Sequence, residues 1–160
     1  MFIKMICAGA IVLGSGTAFA QGVPVGTWQL QTGGFSYHMP HDSPHNEVNL
    51  GLGVEYQLNS NTAISAGFYK NSFGLRSNYA FAHYHPWEIW GVRVGATMGY
   101  VDGYPNYQNG AVGSVILPSF SKQYKHFGIY GIVIPPVSNG QGLIFVGIKI
   151  PFKELGRLFD

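Results

Sequence analysis

Ser72 and His38 are the residues of this 160-residue chain whose types could do covalent chemistry together. A serine hydroxyl is a weak nucleophile at its own pKa and needs a base beside it. His38 is the candidate base, and Asn71, next to Ser72, is the candidate to orient its imidazole. The run Lys70-Asn71-Ser72-Phe73-Gly74 also reads as an ordinary polar turn. A second chemistry is suggested by His38, His41 and His45, to which Asp42 and Glu47 could add oxygens. Those histidines sit on a strand end and a proline-broken loop, so their spacing fixes no coordination geometry. No metal or other cofactor is expected.

The elements that must hold these residues are strands. From Val48 to Asn59, the residues Val48, Leu50, Leu52, Val54, Tyr56 and Leu58 alternate with Asn49, Gly51, Gly53, Glu55, Gln57 and Asn59. Trp90, Val92, Val94, Ala96, Met98 and Tyr100 alternate with Gly91, Arg93, Gly95, Thr97 and Gly99. Near the C-terminus Ile144, Val146, Ile148, Ile150 and Phe152 share a face opposite Gly147 and Lys149. Successive strand residues point to opposite faces, so each segment has one apolar side. Charged residues are 10% and aromatics 15% of the chain, far from the roughly 25% charged residues of soluble domains. An apolar wall facing lipid and a small or polar lumen fit that composition. No stretch after residue 20 approaches the roughly 20 apolar residues of a spanning helix.

Residues 1–20 fit a cleaved signal peptide. Lys4 precedes an apolar run from Met5 to Leu13, and Ala18-Phe19-Ala20 forms the small-x-small site. The only cysteine, Cys7, lies inside it, so the mature chain has neither disulfide nor thiolate. Removing Lys4 leaves eight Lys+Arg against seven Asp+Glu, with no basic block to suggest nucleic acid. The expected architecture is all-β, an eight-stranded antiparallel outer-membrane β-barrel over residues 21–152 with a short tail at 153–160. Its strands are expected near 27–38, 47–58, 62–70, 75–85, 89–101, 111–121, 124–134 and 142–152. Gln29 and Gln31 would face away from Ser36 and His38 unless Gly33-Gly34 forms a bulge, which would turn His38 inward.

Loop lengths orient the barrel, because short turns face the periplasm and longer loops the outside. Connections 39–46, 71–74, 102–110 and 135–141 then share the extracellular rim, with His38, His41, His45, Asn71 and Ser72 on it. His83 and His85 fall toward the other end. The location implied is the outer membrane of a Gram-negative bacterium, with the protein a monomer.

The order of several features resembles the outer-membrane lipid A palmitoyltransferase family of small eight-stranded barrels. A histidine closes the first strand at His38. Asn46-Glu47 follows, then Gly51-Leu52-Gly53 and a strand ending Phe68-Tyr69-Lys70-Asn71-Ser72-Phe73. Val115-Ile116-Leu117-Pro118 and Ile134-Pro135 are similar to that family's proline-interrupted strands, and Ile132 to Phe152 to its final hairpin. The resemblance implies transfer of a palmitoyl chain from phospholipid to lipid A, making membrane lipids the partners. It implies catalytic roles for His38, Asn71 and Ser72 and substrate access at Pro118 and Pro135, since proline lacks a ladder donor. Inward Gly51, Gly53, Gly67, Gly95 and Gly147 could then leave room for an acyl chain. Larger residues such as Arg93, Glu55 and Tyr130 could instead fill the lumen.

Three departures bear on function. Asn71 stands where that family has aspartate, so Asn71→Asp is expected to raise the activity of a weakened transferase site. The segment from Gln21 to Gly26 is too short for the family's leading amphipathic helix. Lys153 to Asp160 extends past the usual aromatic end. Two function classes stay open: an enzyme moving lipid acyl chains, by transfer or by deacylation, and a non-catalytic barrel that displays loops for surface interaction or receptor blocking.

Overall fold

The computed structural model describes residues 22–41, 45–105, 110–137 and 141–157. The expected signal peptide, Asp42 and Asn139-Gly140 lie outside them. Eight strands follow in chain order: β1 (Trp28–Met39), β2 (Val48–Gln57), β3 (Thr62–Lys70), β4 (Arg76–Ile89), β5 (Val92–Tyr104), β6 (Gly110–Gln123), β7 (Gly128–Val137) and β8 (Gln141–Pro151). Each pairs antiparallel with the next, and β8 returns to β1, closing the barrel. The structure is therefore the all-β, eight-stranded antiparallel barrel expected from the alternation.

Burial in this barrel is inverted. Leu50 is 70% exposed and Ile116 71%, while Gln31, Glu55, Thr97 and Lys149 are buried. An apolar wall of this extent would aggregate in water, but it matches a hydrocarbon solvent. The ends of β1, β3, β5 and β7 and the starts of β2, β4, β6 and β8 lie at one end, here the loop rim. The opposite end, the turn rim, carries the tight connections and a short helix, α1 (Phe152–Gly156).

The glycine bulge falls where β1 needs it. Pairing shifts between Thr32 and Gly34 on the β2 side and between Gln31 and Gly34 on the β8 side. A Cβ would lie 1.9 Å from the Asn49 carbonyl oxygen at Gly33, and 1.8 Å from that of Val146 at Gly34. Neighbouring backbones thus approach too closely for any side chain at either position. Past the bulge, Ser36 and His38 join Gln29 and Gln31 in the lumen, where all four are buried.

Several boundaries differ from the sequence reading. Trp90, expected on β5, instead forms the β4–β5 turn with Gly91, at φ 51° and 73°. Positive φ at both central residues matches the hairpin turn whose twist suits its strands. This leaves Trp90 93% exposed beside exposed Trp87 at the turn rim, a place for interfacial aromatics. Residues 124–127 turn before β7, with Tyr124 N–H donating to the Phe127 carbonyl at 2.8 Å. Phe152, expected to close the last strand, opens α1, because the strand stops at Pro151.

The lumen is packed with polar side chains that bond across it. Glu55 accepts from Lys149 Nζ at 2.5 Å and from Gln31 Nε2 at 2.8 Å. Tyr79 Oη donates to Gln31 Oε1 at 2.8 Å. His83 bonds Ser65 at 2.8 Å and Thr97 at 2.7 Å, and Thr97 Oγ1 donates onward to Ser119 at 2.9 Å. His85 also reaches Ser119, at 2.9 Å. Arg93 caps this network at the turn rim through the Ser60 and His85 carbonyls.

Of the two expectations for the inward glycines, the filled lumen holds at Gly53, Gly67 and Gly147, where tyrosine side chains take the space an acyl chain would need. A Cβ on Gly53 would meet Tyr79 Oη at 2.1 Å, and one on Gly147 would meet the Tyr130 ring at 2.7 Å. Gly51 lies against Tyr69, and Gly67 against the same Tyr79 hydroxyl. Missing side chains on one strand admit tyrosine rings from another. The interior pocket around Glu55, His83 and Lys149 offers about 20 Å³, room for roughly one water.

Removing one partner of a buried ion pair strands the other charge, at a cost of about 3–5 kcal/mol. Lys149→Met is therefore expected to lower the unfolding free energy of the lipid-reconstituted barrel by about that amount, measured by urea titration. An unchanged transition would show that Glu55 is satisfied without the lysine.

Candidate functional site

At the loop rim, β1 and the β3–β4 connection bring His38 and Ser72 together. His38 Nε2 lies 2.8 Å from Ser72 Oγ, although the residues are 34 apart in the chain. The bulge makes this contact possible by turning His38 inward, where it is 9% exposed. His45 stacks on the His38 ring at 4.3 Å between centroids, with the edge of Phe73 against His45. The imidazole is thus held by aromatic contact on its face and by the serine on its edge.

Asn71 does not orient that imidazole, contrary to the expectation from sequence. Its Oδ1 accepts from the Phe73 and Leu75 amides at 2.9 and 3.0 Å. Its Nδ2 donates to Ser77 Oγ at 3.0 Å and to the Gly103 carbonyl at 2.7 Å. Fully buried, Asn71 is the internal frame of the turn that presents Ser72. A carboxylate could accept the two amides, but it would face the Gly103 carbonyl without a donor.

The group behind His38 is Glu47, for which the sequence suggests only an oxygen for a metal. Its Oε1 lies 3.7 Å from His38 Nδ1, accepts from the His38 backbone amide at 3.4 Å, and stands 3.2 Å from His41 Nδ1. His38 Nδ1 is buried and has no hydrogen-bond partner among the described residues. To accept a proton from Ser72, Nε2 must be bare, so the proton of the neutral ring belongs on Nδ1, facing Glu47. Closing that gap by about half an ångström completes a serine–histidine–carboxylate relay, and such bonds are often long before substrate binds. The signal was available in register. Ser36 N–H donates to the Glu47 carbonyl, extending the β1–β2 ladder past Phe35↔Val48 and setting 47 diagonal to 38.

Of the other candidates, His41 stacks on Tyr37. No group of three or more His, Cys, Asp or Glu among the described residues is arranged to hold a metal. His83 and His85 belong to the lumen network. Pro118 sits where the β6–β7 ladder stops, its last pair being Ser119↔Ile132. Above it, β6 pairs with β5, and β7 with β8. Pro135 falls in the irregularity between Ile134 and Val137 on the β7–β8 side. Both prolines therefore border a stretch of wall, in the loop-rim half, where β6 and β7 are not hydrogen-bonded.

Among solved structures, the chain is similar to one described as "De novo design of transmembrane beta-barrels", at 13% identity and a TM-score of 0.51, covering 82% of this chain and 99% of that one. The likeness is one of fold, a transmembrane β-barrel. No protein-family model matches the chain, and neither does any curated protein.

Asn71→Asp is expected to destabilise the barrel by about 1–3 kcal/mol, the cost of an unsatisfied buried polar group, without strengthening any reaction at Ser72. Urea unfolding alongside an ester-cleavage assay checks both. A more active variant of wild-type stability would restore Asn71 to the catalytic set.

Proposed function

We propose that this chain is an outer-membrane enzyme acting on the acyl esters of outer-leaflet lipids. Ser72 is its nucleophile, His38 its base and Glu47 the residue that orients the base. The observation that carries this reading is the 2.8 Å contact between His38 Nε2 and Ser72 Oγ at the loop rim. The loop rim is the extracellular one on the usual arrangement of such barrels. The resemblance to lipid A palmitoyltransferases supports the same pair of residues and the same class of substrate.

Ser72 Oγ attacks the ester carbonyl as its proton passes to His38 Nε2, and that proton leaves with the departing alkoxide. The acyl group is then held on Ser72 as an ester. A second hydroxyl, deprotonated by His38, resolves it: a lipid A hydroxyl completes transfer of a phospholipid chain, water completes deacylation of lipid A, and His38 returns the proton to Ser72 Oγ as its ester bond breaks. Developing positive charge on the imidazole is stabilised by Glu47 from the Nδ1 side. With the lumen packed by Tyr69, Tyr79 and Tyr130, the acyl chain lies against the apolar wall rather than inside it. The unpaired stretch beside Pro118 and Pro135 is the candidate lateral opening through which the ester reaches the loop rim while its chain stays in the membrane.

A non-catalytic, loop-displaying barrel is the second reading, and the packed lumen favours it. Expression in a bacterium lacking its own lipid A palmitoyltransferase, followed by mass spectra of extracted lipid A, separates the two. One added acyl chain marks transfer and one lost chain marks deacylation. Ser72→Ala and His38→Ala are expected to abolish either change, and Glu47→Gln to slow it at least about 100-fold, given the ~10⁴ cost of the comparable change in a serine-protease triad. An unchanged spectrum with the barrel present in the membrane would favour loop display.

A further inference from the structure

We infer that Lys70 and Arg76, on the outer wall beneath the Ser72 turn, form a two-pronged site for the phosphate of an outer-leaflet lipid. The two residues are direct cross-strand partners at the end of the β3–β4 ladder. Both are exposed and alternate with inward Asn71 and Ser77, so both point away from the lumen. Like charges directly opposite one another destabilise a sheet. Neither residue makes a salt bridge among the described residues, so the repulsion is only partly offset, by the Asp102 carboxylate near Arg76, until an anion arrives.

Placement supports a lipid rather than a soluble anion. Going up β3, the outward residues are Ile64, Ala66, Phe68 and then Lys70, so the apolar band ends where the cations begin. Arg76 lies over the Phe68 ring at 4.4 Å, its charge at the boundary between hydrocarbon and headgroups. The other described cations lie elsewhere: Lys149 in the lumen, Arg93, Lys122 and Lys125 toward the turn rim, and Lys153 and Arg157 after β8. The loop-rim half therefore gathers its described positive charge at one point. A guanidinium fork gives two parallel hydrogen bonds to a phosphate, and the ammonium adds a point charge. Asp102 is the nearby opposing charge. It lies within electrostatic reach of Arg76, but its carboxylate is engaged by the Asn78 amide at 2.6 Å and side chain at 3.0 Å.

Native mass spectrometry of the detergent-solubilised chain tests the site, with phosphatidic acid and a diacylglycerol of the same acyl chains as probes. Wild type is expected to retain phosphatidic acid about tenfold better than diacylglycerol, and Lys70→Gln/Arg76→Gln to lose that preference. Lys70→Arg should keep it, and Asp102→Asn should strengthen it. Heat-dependent gel migration verifies folding of each variant. Equal preference in the double variant would overturn the proposal. Full displacement by millimolar inorganic phosphate would overturn its lipid part, since the site would then take any phosphate.

Discussion

A transmembrane barrel has no apolar core of its own, so its interior must be held by polar groups that satisfy one another. Glu55 is the centre of that arrangement. Its carboxylate on β2 gathers Lys149 from β8 and Gln31 from β1, with His83 of β4 at 3.9 Å. His83 then ties in Ser65 of β3 and Thr97 of β5, and Thr97 reaches Ser119 of β6. Side chains from seven of the eight strands are linked through one buried charge. An isolated carboxylate could not exist there, and neither could the lysine.

That constraint decides where chemistry can occur. Among the described residues, the network and the tyrosines over Gly53 and Gly147 occupy the lumen and leave no room beside them for an acyl chain. The proposed catalytic pair is left at the loop rim, where the wall meets solvent and the β1 bulge aims His38 at Ser72. The bulge links fold to site. Without the two glycines, His38 would face lipid and Ser72 would have no base.

The fold was legible because strand alternation has a period of two and each apolar set needs a common solvent. Low charge and abundant aromatics identified that solvent as lipid, and Gly33-Gly34 marked the one break in phase. His38 and Ser72 were legible through loop lengths, which place strand ends on one rim or the other. Asn71 was misread because adjacency in sequence suggested a partnership that its turn hydrogen bonds preclude. Glu47 was undervalued because its nearness to His38 comes from cross-strand register. The packed lumen was harder still: Glu55 and Lys149 are 94 residues apart, and only closure of β8 onto β1 brings them together. Trp90 misled because an aromatic in an alternating run looks like strand until the hairpin turn is seen.

The central claim is that His38, backed by Glu47, makes Ser72 nucleophilic. The most direct measurement is labelling of the folded barrel with a fluorophosphonate, read by intact mass and peptide mapping. The account predicts one adduct, on Ser72, absent in His38→Ala and formed markedly more slowly in Glu47→Gln. No adduct, or one forming equally fast without His38, would contradict it.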